Sequence, residues 1–197
     1  HLKWLSYTPS ALSKHFILTN DVNASETANW ANGYGFQPIG SGSKKFSGTF
    51  DGRGYAVSGL VINRPTNDLV GLFAKLFRAE VANLSLPDAQ VRGQRFVGIL
   101  AGMTHDSEVK NCSASGSVIG NREVGGLIGF TSAQSVVQNS KSSGSVIGVT
   151  ERIGGLVGHN FTESEISNCY SLASVQGNKW VGGLAGLNSN GSRIIKS

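Results

Sequence analysis

Short apolar segments, separated by Gly, Asn and Ser, recur at a nearly constant spacing along most of the chain. The clearest follows the pattern Val/Ile-Gly-x-Leu-x-Gly, with copies that begin at residues 97, 124, 153 and 181 and a degenerate copy at residue 70. The copies are therefore 27, 27, 29 and 28 residues apart. Because each apolar segment spans only about four to six residues, the pattern predicts β-strands rather than amphipathic helices.

Two further elements repeat in step with this motif. One places an Asn at residues 83, 111, 139 and 168, and the other, Val-x-Gly, ends at residues 93, 120, 148 and 177. A unit with three short strands cannot bury its apolar side chains alone, so it must stack on its neighbours. We therefore predict an all-β fold: a right-handed parallel β-helix (a solenoid) with about 27–29 residues and three strands per rung.

In such a coil, equivalent residues of successive rungs lie directly above one another, about 4.8 Å apart. Leu127, Leu156 and Leu184 should then stack in the interior. Cys112 and Cys169 fall in one column but two rungs apart, at about 10 Å, which is too far for a disulfide. We therefore expect two free, inward-facing thiols.

The repeat divides the chain into two regions. Residues 1–45 lack it and are predicted to form an irregular N-terminal cap or first rung, whereas residues 46–197 form the β-helix. The last copy stops within a rung, so we expect the natural protein to continue beyond residue 197.

Composition narrows the class of protein. Of 197 residues, 27 are Gly and only 15% are charged, which argues against both a helical bundle and a charged disordered chain. The net charge of +5 is dilute, and the longest cationic run is the pair Lys44-Lys45, so no specific nucleic-acid partner is predicted. Apolar runs stay far below the ~18 residues that span a bilayer, so we predict no membrane insertion.

The apolar motif resembles a known repeat. Residues 126–129, 155–158 and 183–186 each read Gly-Leu-hydrophobic-Gly, which is similar to the GLUG motif, and the Phe46-x-Gly-x-Phe-Asp-Gly-x-Gly segment resembles the sequence that precedes such repeats. In the copies at 70 and 97, Leu72 and Ile99 replace the first Gly of this motif, and Lys75 replaces its last. The resemblance implies a β-helix of large secreted or surface-anchored bacterial proteins, such as filamentous-haemagglutinin-type adhesins and the non-catalytic part of immunoglobulin A-cleaving metallopeptidases.

Catalytic chemistry has one candidate. Glu80 and Glu108 fall in one column on adjacent rungs, and a glycoside hydrolase needs two carboxyl groups of comparable spacing. Val136 interrupts this column, which favours a solvated face. The Asp residues are scattered and His-Glu-x-x-His is lacking, so we predict no metal and no cofactor.

Binding residues are predicted on the two positions that precede each apolar motif. Under the rung register these positions form a basic and aromatic ladder about 15 Å tall, three rung steps of ~4.8 Å, interspersed with Glu123 and Glu151. The predicted binding residues are Arg95, Phe96, Arg122, Arg152, Lys179 and Trp180. The alternative interpretation of these positions is a solvated edge over which Phe96 and Trp180 fold back.

Together these features predict a non-enzymatic adhesive or spacer module, secreted or on a bacterial cell surface. Its expected partner is a host or matrix glycan or protein. A carbohydrate-active β-helix enzyme (a polysaccharide lyase or glycoside hydrolase) and the stalk of a larger secreted metallopeptidase remain as alternatives.

Overall fold

The computed structural model describes residues 2–197 as a coil of short strands. Helix α1 (Leu2–Tyr7) and two 3-10 segments, Pro9–Ala11 and Ser25–Gly33, lie near the N-terminus. The strands are, in chain order, β1 (His15–Ile17), β2 (Val22–Asn23), β3 (Thr49–Asp51), β4 (Val57–Ser58), β5 (Val61–Asn63), β6 (Phe73–Phe77), β7 (Glu80–Ala82), β8 (Ser85–Arg92), β9 (Arg95–Val97), β10 (Ala101–His105), β11 (Glu108–Lys110), β12 (Ser113–Gly120), β13 (Arg122–Gly125), β14 (Ile128–Ser132), β15 (Val136–Gln138), β16 (Lys141–Gly148), β17 (Glu151–Gly154), β18 (Val157–Asn160), β19 (Glu165–Ser167), β20 (Tyr170–Gln176), β21 (Lys179–Gly182), β22 (Ala185–Asn188) and β23 (Arg193–Ile195).

The strands form four stacked sheets, and a complete turn of the coil passes through each sheet once. Sheet A has the order β1-β3-β7-β11-β15-β19-β23, sheet B β5-β8-β12-β16-β20, sheet C β9-β13-β17-β21 and sheet D β6-β10-β14-β18-β22, while β2 pairs with β4. Each strand pairs in parallel with its equivalent one turn away, as β11 does with β7 and β15. The predicted parallel β-helix is therefore confirmed.

The difference from the prediction lies in the number of strands per turn, which is four instead of three. The apolar motif, expected on one strand, crosses a corner: β13 ends at Gly125 and β14 begins at Ile128. The sequence shows one apolar run because the residues on both sides of this corner are buried.

The register of the interior columns agrees with the 28-residue repeat. The Leu127 amide donates to the Leu156 carbonyl at 2.9 Å, and the Leu156 amide donates to that of Leu184 at 2.8 Å. In sheet A, Val109 pairs with Val81 and Val137, and all three side chains are buried. The core is thus a set of stacked identical or similar side chains.

The Asn column forms a corner after sheet A. Asn83, Asn111, Asn139 and Asn168 all have φ between 50° and 54°, the left-handed region that Asn tolerates better than most residues. Asn111 Nδ2 donates to Asn83 Oδ1 at 3.0 Å, so these two side chains also bond to each other along the coil.

The cysteine prediction is confirmed. Cys112 and Cys169 are both free and buried. Ser140 lies between them, because its hydroxyl accepts from the Cys112 amide at 3.1 Å while its own amide lies 3.4 Å from Cys169 Sγ.

The degenerate first copy has a different register from the one predicted. Val70 bridges to Val97, but Phe73 pairs with Ala101 and Lys75 pairs with Met103. The first copy is thus one residue shorter across the corner, so Ala74, not Lys75, occupies the place of the motif's last Gly. Lys75 consequently lies one position further along the strand.

The two ends of the described chain differ. At the N-terminal end, Leu5, Leu12 and Phe36 are buried and belong to the same core as the coil. At the other end, strands β20, β21 and β22 are edge strands, and Leu172 and Val181 are exposed. Within residues 2–197, the helices are too short and too polar to traverse a lipid bilayer.

Candidate binding edge

The six predicted binding residues lie together along sheet C, in two neighbouring columns. Arg95 pairs with Arg122, and Glu151 with Lys179. The second column contains Phe96, Glu123, Arg152 and Trp180, each with φ between 49° and 64°. This left-handed conformation is uncommon for bulky side chains, and here it falls at the second residue of each strand of sheet C. We call these eight residues the sheet C edge.

A buried carboxylate organises the middle of this edge. The side chain of Glu123 is 1% exposed. Its oxygens accept from Arg95 Nε at 2.9 Å, from Arg122 Nε at 3.1 Å and from Arg152 Nη1. A buried charge is tolerated only when it is paired and hydrogen-bonded, and three guanidinium groups meet that condition here.

A second carboxylate extends the network towards solvent. Glu151 Oε1 lies 2.9 Å from Arg122 Nη2 and 3.4 Å from Arg152 Nη2. The three arginines therefore share two carboxylates, and much of their charge is neutralised within the protein. The side chains of Arg95 and Arg122 are nevertheless 41% and 38% exposed, so each keeps donors that face solvent.

Aromatic rings lie at both ends of the edge. The Arg95 guanidinium lies 4.2 Å from the centroid of the Phe96 ring, and Lys179 Nζ lies 3.9 Å from that of Trp180. Trp180 is 39% exposed. Among residues 2–197, Lys179 has no carboxylate within ion-pair distance, so the top of the edge presents an exposed cation beside an exposed indole.

Sequence reasoning missed a group that supports the edge from behind. His159 lies in one column with Phe130, and its ring is 5.2 Å from that of Phe130 and 5.1 Å from that of Phe161. Burial, with Arg152 nearby, lowers the pKa of His159 from 6.5 to about 4. Its Nδ1 is buried without a partner in the described chain, whereas Nε2 lies 2.9 Å from Ser189 Oγ. The signal in the sequence was a His in register with Phe130 and Leu187.

The candidate catalytic pair lies on another face of the coil. Glu80 and Glu108 are neighbours in sheet A and line an open groove of about 670 Å³. Lys110 Nζ lies between them, 2.5 Å from Glu80 and 3.6 Å from Glu108. The hydrogen bond to Glu80 raises the pKa of Lys110. Lys110 therefore occupies the space between the two carboxylates, where the scissile bond of a glycoside substrate would have to lie.

The described residues 2–197 contain no cluster of three or more His, Cys, Asp or Glu side chains that could hold a metal ion.

A family model described as the GLUG motif matches residues 150–176. The chain carries a GLUG motif, as the resemblance predicted. These residues run from the sheet C edge at Glu151 through β18 to the end of β20. The GLUG motif is thus one complete turn of this coil, and the other turns repeat its strand order.

Two relatives share part of the sequence. Halomucin of Haloquadratum walsbyi is 37% identical over 107 residues, which is 53% of this chain and 1% of that protein. A proposed Gly-rich membrane protein of Evansella cellulosilytica is 36% identical over 73 residues, which is 36% of this chain and 8% of that protein. The chain therefore corresponds to a small part of each relative.

A solved structure shares the fold along nearly the whole chain. A proposed immunoglobulin A1 protease of Bacteroides ovatus superposes with a TM-score of 0.77 and 22% identity, over 97% of this chain and 61% of that one. At this level of identity the likeness shows the fold alone.

Proposed function

We propose that the chain is a non-catalytic spacer module of a larger secreted or surface-exposed protein, and that its sheet C edge binds an anionic glycan or an acidic protein surface. The observation that carries the spacer role is the uninterrupted stacking of sheet A through seven strands. From β7 onwards, successive strands of sheet A are 28 or 29 residues apart, which leaves no inserted loop in these turns to build a catalytic cleft.

The relatives support the location and the larger context. The chain matches 1% of Halomucin and 8% of a proposed membrane protein, and 61% of a proposed immunoglobulin A1 protease. A repeated unit that makes up part of longer proteins fits a module that sets distance or presents a surface. The same likeness is compatible with the non-catalytic stalk of a protease.

The binding role is supported by the composition of the edge. Exposed guanidinium donors can bind carboxylate or sulfate groups through paired hydrogen bonds, and an exposed indole adds an apolar contact face. The ion pairs with Glu123 hold the arginines in fixed positions, which lowers the conformational entropy lost on binding.

The test uses a short sulfated ligand and two matched variants. Lys179→Gln/Trp180→Asn removes an exposed cation and an aromatic ring from the edge, and Asn tolerates the positive φ of residue 180. Lys141→Gln/Tyr170→Asn makes the same changes on sheet B, where these two residues pair. Titration calorimetry with a heparin tetrasaccharide should show at least tenfold weaker binding for the first variant only.

An edge variant with unchanged affinity and unchanged stoichiometry, or an equal loss of binding in both variants, would contradict the binding role. A polysaccharide-degradation assay on the same preparations should show no product. Product formation that is lost in Glu80→Gln/Glu108→Gln would instead establish the carbohydrate-active alternative.

A further inference from the structure

Three cationic side chains surround one aromatic ring at the corner between sheets D and A. Lys45 Nζ lies 3.4 Å from the centroid of the Phe77 ring, Arg78 Cζ lies at 5.3 Å and Lys75 Nζ at 5.8 Å. The imidazole of His105 stacks parallel to the same ring at 5.1 Å. We call Lys45, Lys75, Phe77, Arg78 and His105 the Phe77 cluster.

Two separate parts of the chain build this cluster. Lys75, Phe77 and Arg78 lie on and just after β6, whereas Lys45 belongs to the loop of residues 40–45. Both ends of this loop are fastened to β6: the Ile39 amide donates to Leu72 O and the Phe46 amide to Lys75 O, each at 2.9 Å. The loop therefore holds Lys45 beside Phe77, and the exposed Lys44 precedes Lys45 in the same loop.

The positive charge of the cluster is weakly compensated. Arg78 pairs with Asp106 at 3.1 Å, and both side chains are at least half exposed. Within residues 2–197, neither Lys45 nor Lys75 forms an ion pair. The sheet C edge differs in this respect, because its arginines share Glu123 and Glu151. The Phe77 cluster consequently presents ammonium groups that are free to meet an external anion.

We propose that the Phe77 cluster, with Lys44, is a binding site for the sulfate or carboxylate groups of an acidic polysaccharide. Cationic side chains that lie close together repel one another and attract a diffuse layer of small anions. A polyanion that replaces these small anions relieves the repulsion and is therefore bound favourably. This site is separate from the sheet C edge and does not depend on its function.

The ring arrangement favours a polysaccharide over a nucleic acid. Single-stranded nucleic acids bind through base stacking on aromatic rings as well as through their phosphates. In the cluster, His105 stacks on Phe77 and Lys45 Nζ lies 3.4 Å from the ring centroid, so a nucleobase would have to compete with both groups for the ring. The surface thus offers charge without a free stacking platform.

The experiment measures binding of the full chain to a heparin tetrasaccharide at several salt concentrations. Lys45→Gln/Lys75→Gln should weaken this site at least tenfold and lower the slope of log K against log salt by about two, one for each lysine removed. Asp106→Asn should tighten binding severalfold, because it releases Arg78, and Asn accepts the positive φ of residue 106. Lys141→Gln/Lys196→Gln, an equal change in net charge elsewhere, should leave binding unchanged.

Stoichiometry separates the two sites. If both bind, calorimetry gives two tetrasaccharides per chain, and either the cluster variant or the sheet C edge variant reduces this to one. If only the sheet C edge variant loses tetrasaccharide binding, the Phe77 cluster is not a binding site. If only the cluster variant loses binding, the Phe77 cluster is supported and the binding role of the sheet C edge is refuted. If the Lys141→Gln/Lys196→Gln control loses as much affinity as the cluster variant, net charge alone explains the effect and the proposed site is overturned.

The probes also distinguish ligand classes. Comparison of heparin with polygalacturonate oligomers tells whether sulfate or carboxylate is preferred. Single-stranded DNA that binds as tightly as heparin, with the same dependence on Lys45 and Lys75, would overturn the assignment to polysaccharide.

Discussion

The last glycine of each motif copy lies against the backbone of the neighbouring turn. A Cβ atom on Gly129 would lie 2.4 Å from Val97 N, and one on Gly186 would lie 2.4 Å from Ile153 N. Backbone atoms within a sheet cannot move aside for a methyl group. Neither glycine has a positive φ, so close approach and not conformational freedom explains why the motif ends in Gly.

Two alanine substitutions test this explanation. Gly129→Ala should destabilise the chain by about 1–3 kcal/mol, the usual range for overpacking. Gly183→Ala is the matched control, because a Cβ there meets nothing within 4 Å. It should be neutral or stabilising by up to about 1 kcal/mol, because Ala restricts the unfolded chain. Urea denaturation measures both, and equal effects would refute the packing explanation.

Residues that repeat in every turn could be predicted from the sequence, and residues that do not repeat could not. The leucine, asparagine and cysteine columns follow directly from the spacing. Glu123 occupies a column whose other members include Phe96 and Trp180. Because these residues share no chemical type, the column does not predict whether Glu123 is buried. Glu123 is buried because three arginines from two neighbouring columns converge on it. This convergence depends on side-chain orientations, which the spacing of the repeat does not predict.

At the scale of the strand, β14 and β18 carry the rings of Phe130 and His159, which pack beside Phe96 of the sheet C edge. Phe130 contacts Phe96, Phe161 and His159, with ring centroids 5.2 to 5.9 Å apart. The charged groups that influence His159 are Arg152, Glu123, Arg122 and Glu151. A proton on this imidazole would therefore add charge to a buried site next to two arginines.

The lowered pKa of His159 predicts that acid destabilises the fold. Its pKa is about 4 in the folded chain against 6.5 ordinarily, so between these values the unfolded chain binds a proton that the folded chain does not. The free energy of unfolding should thus fall as the pH drops from about 6.5 to about 4. We expect the melting temperature to decrease by several degrees over this range.

His159→Leu isolates this contribution. Leu occupies the same column at Leu187 in the next turn, so the variant should fold. Its melting temperature should depend less on pH between 4 and 6.5 than that of the unmodified chain. Identical pH profiles would show that other groups cause the acid sensitivity.

At the scale of the molecule, the sequence predicted a stack of turns because a fixed period can be read without knowing where the corners lie. The number of strands in each turn could not be predicted from this period. A corner flanked by buried residues on both sides looks like a continuous strand, and the motif from Val124 to Gly129 is such a case. The shifted register of Lys75 was missed because loss of a single residue at a corner hardly changes the spacing.

A coil in which each turn contacts only its neighbours should open from its ends. The two cysteines are internal probes of this behaviour. Burial raises the pKa of Cys112 to about 12 and also raises that of Cys169, so neither thiol reacts while its turn is closed. Within residues 2–197, the segment with β23 and Ser197 lies above Cys169, and the Ser197 hydroxyl accepts from the Cys169 amide at 3.0 Å. Above Cys112 lie the turns that contain Ser140 and Cys169.

We therefore expect Cys169 to react with a thiol reagent at least tenfold faster than Cys112 in this 197-residue chain at pH 8. Exposure of Cys169 requires the opening of one terminal segment, whereas exposure of Cys112 requires two further turns to separate. Cys112→Ser and Cys169→Ser leave one thiol each and assign the rates, and Ser140 shows that this column accepts Ser. Equal rates, both matching global unfolding, would mean that the coil opens as a single cooperative unit.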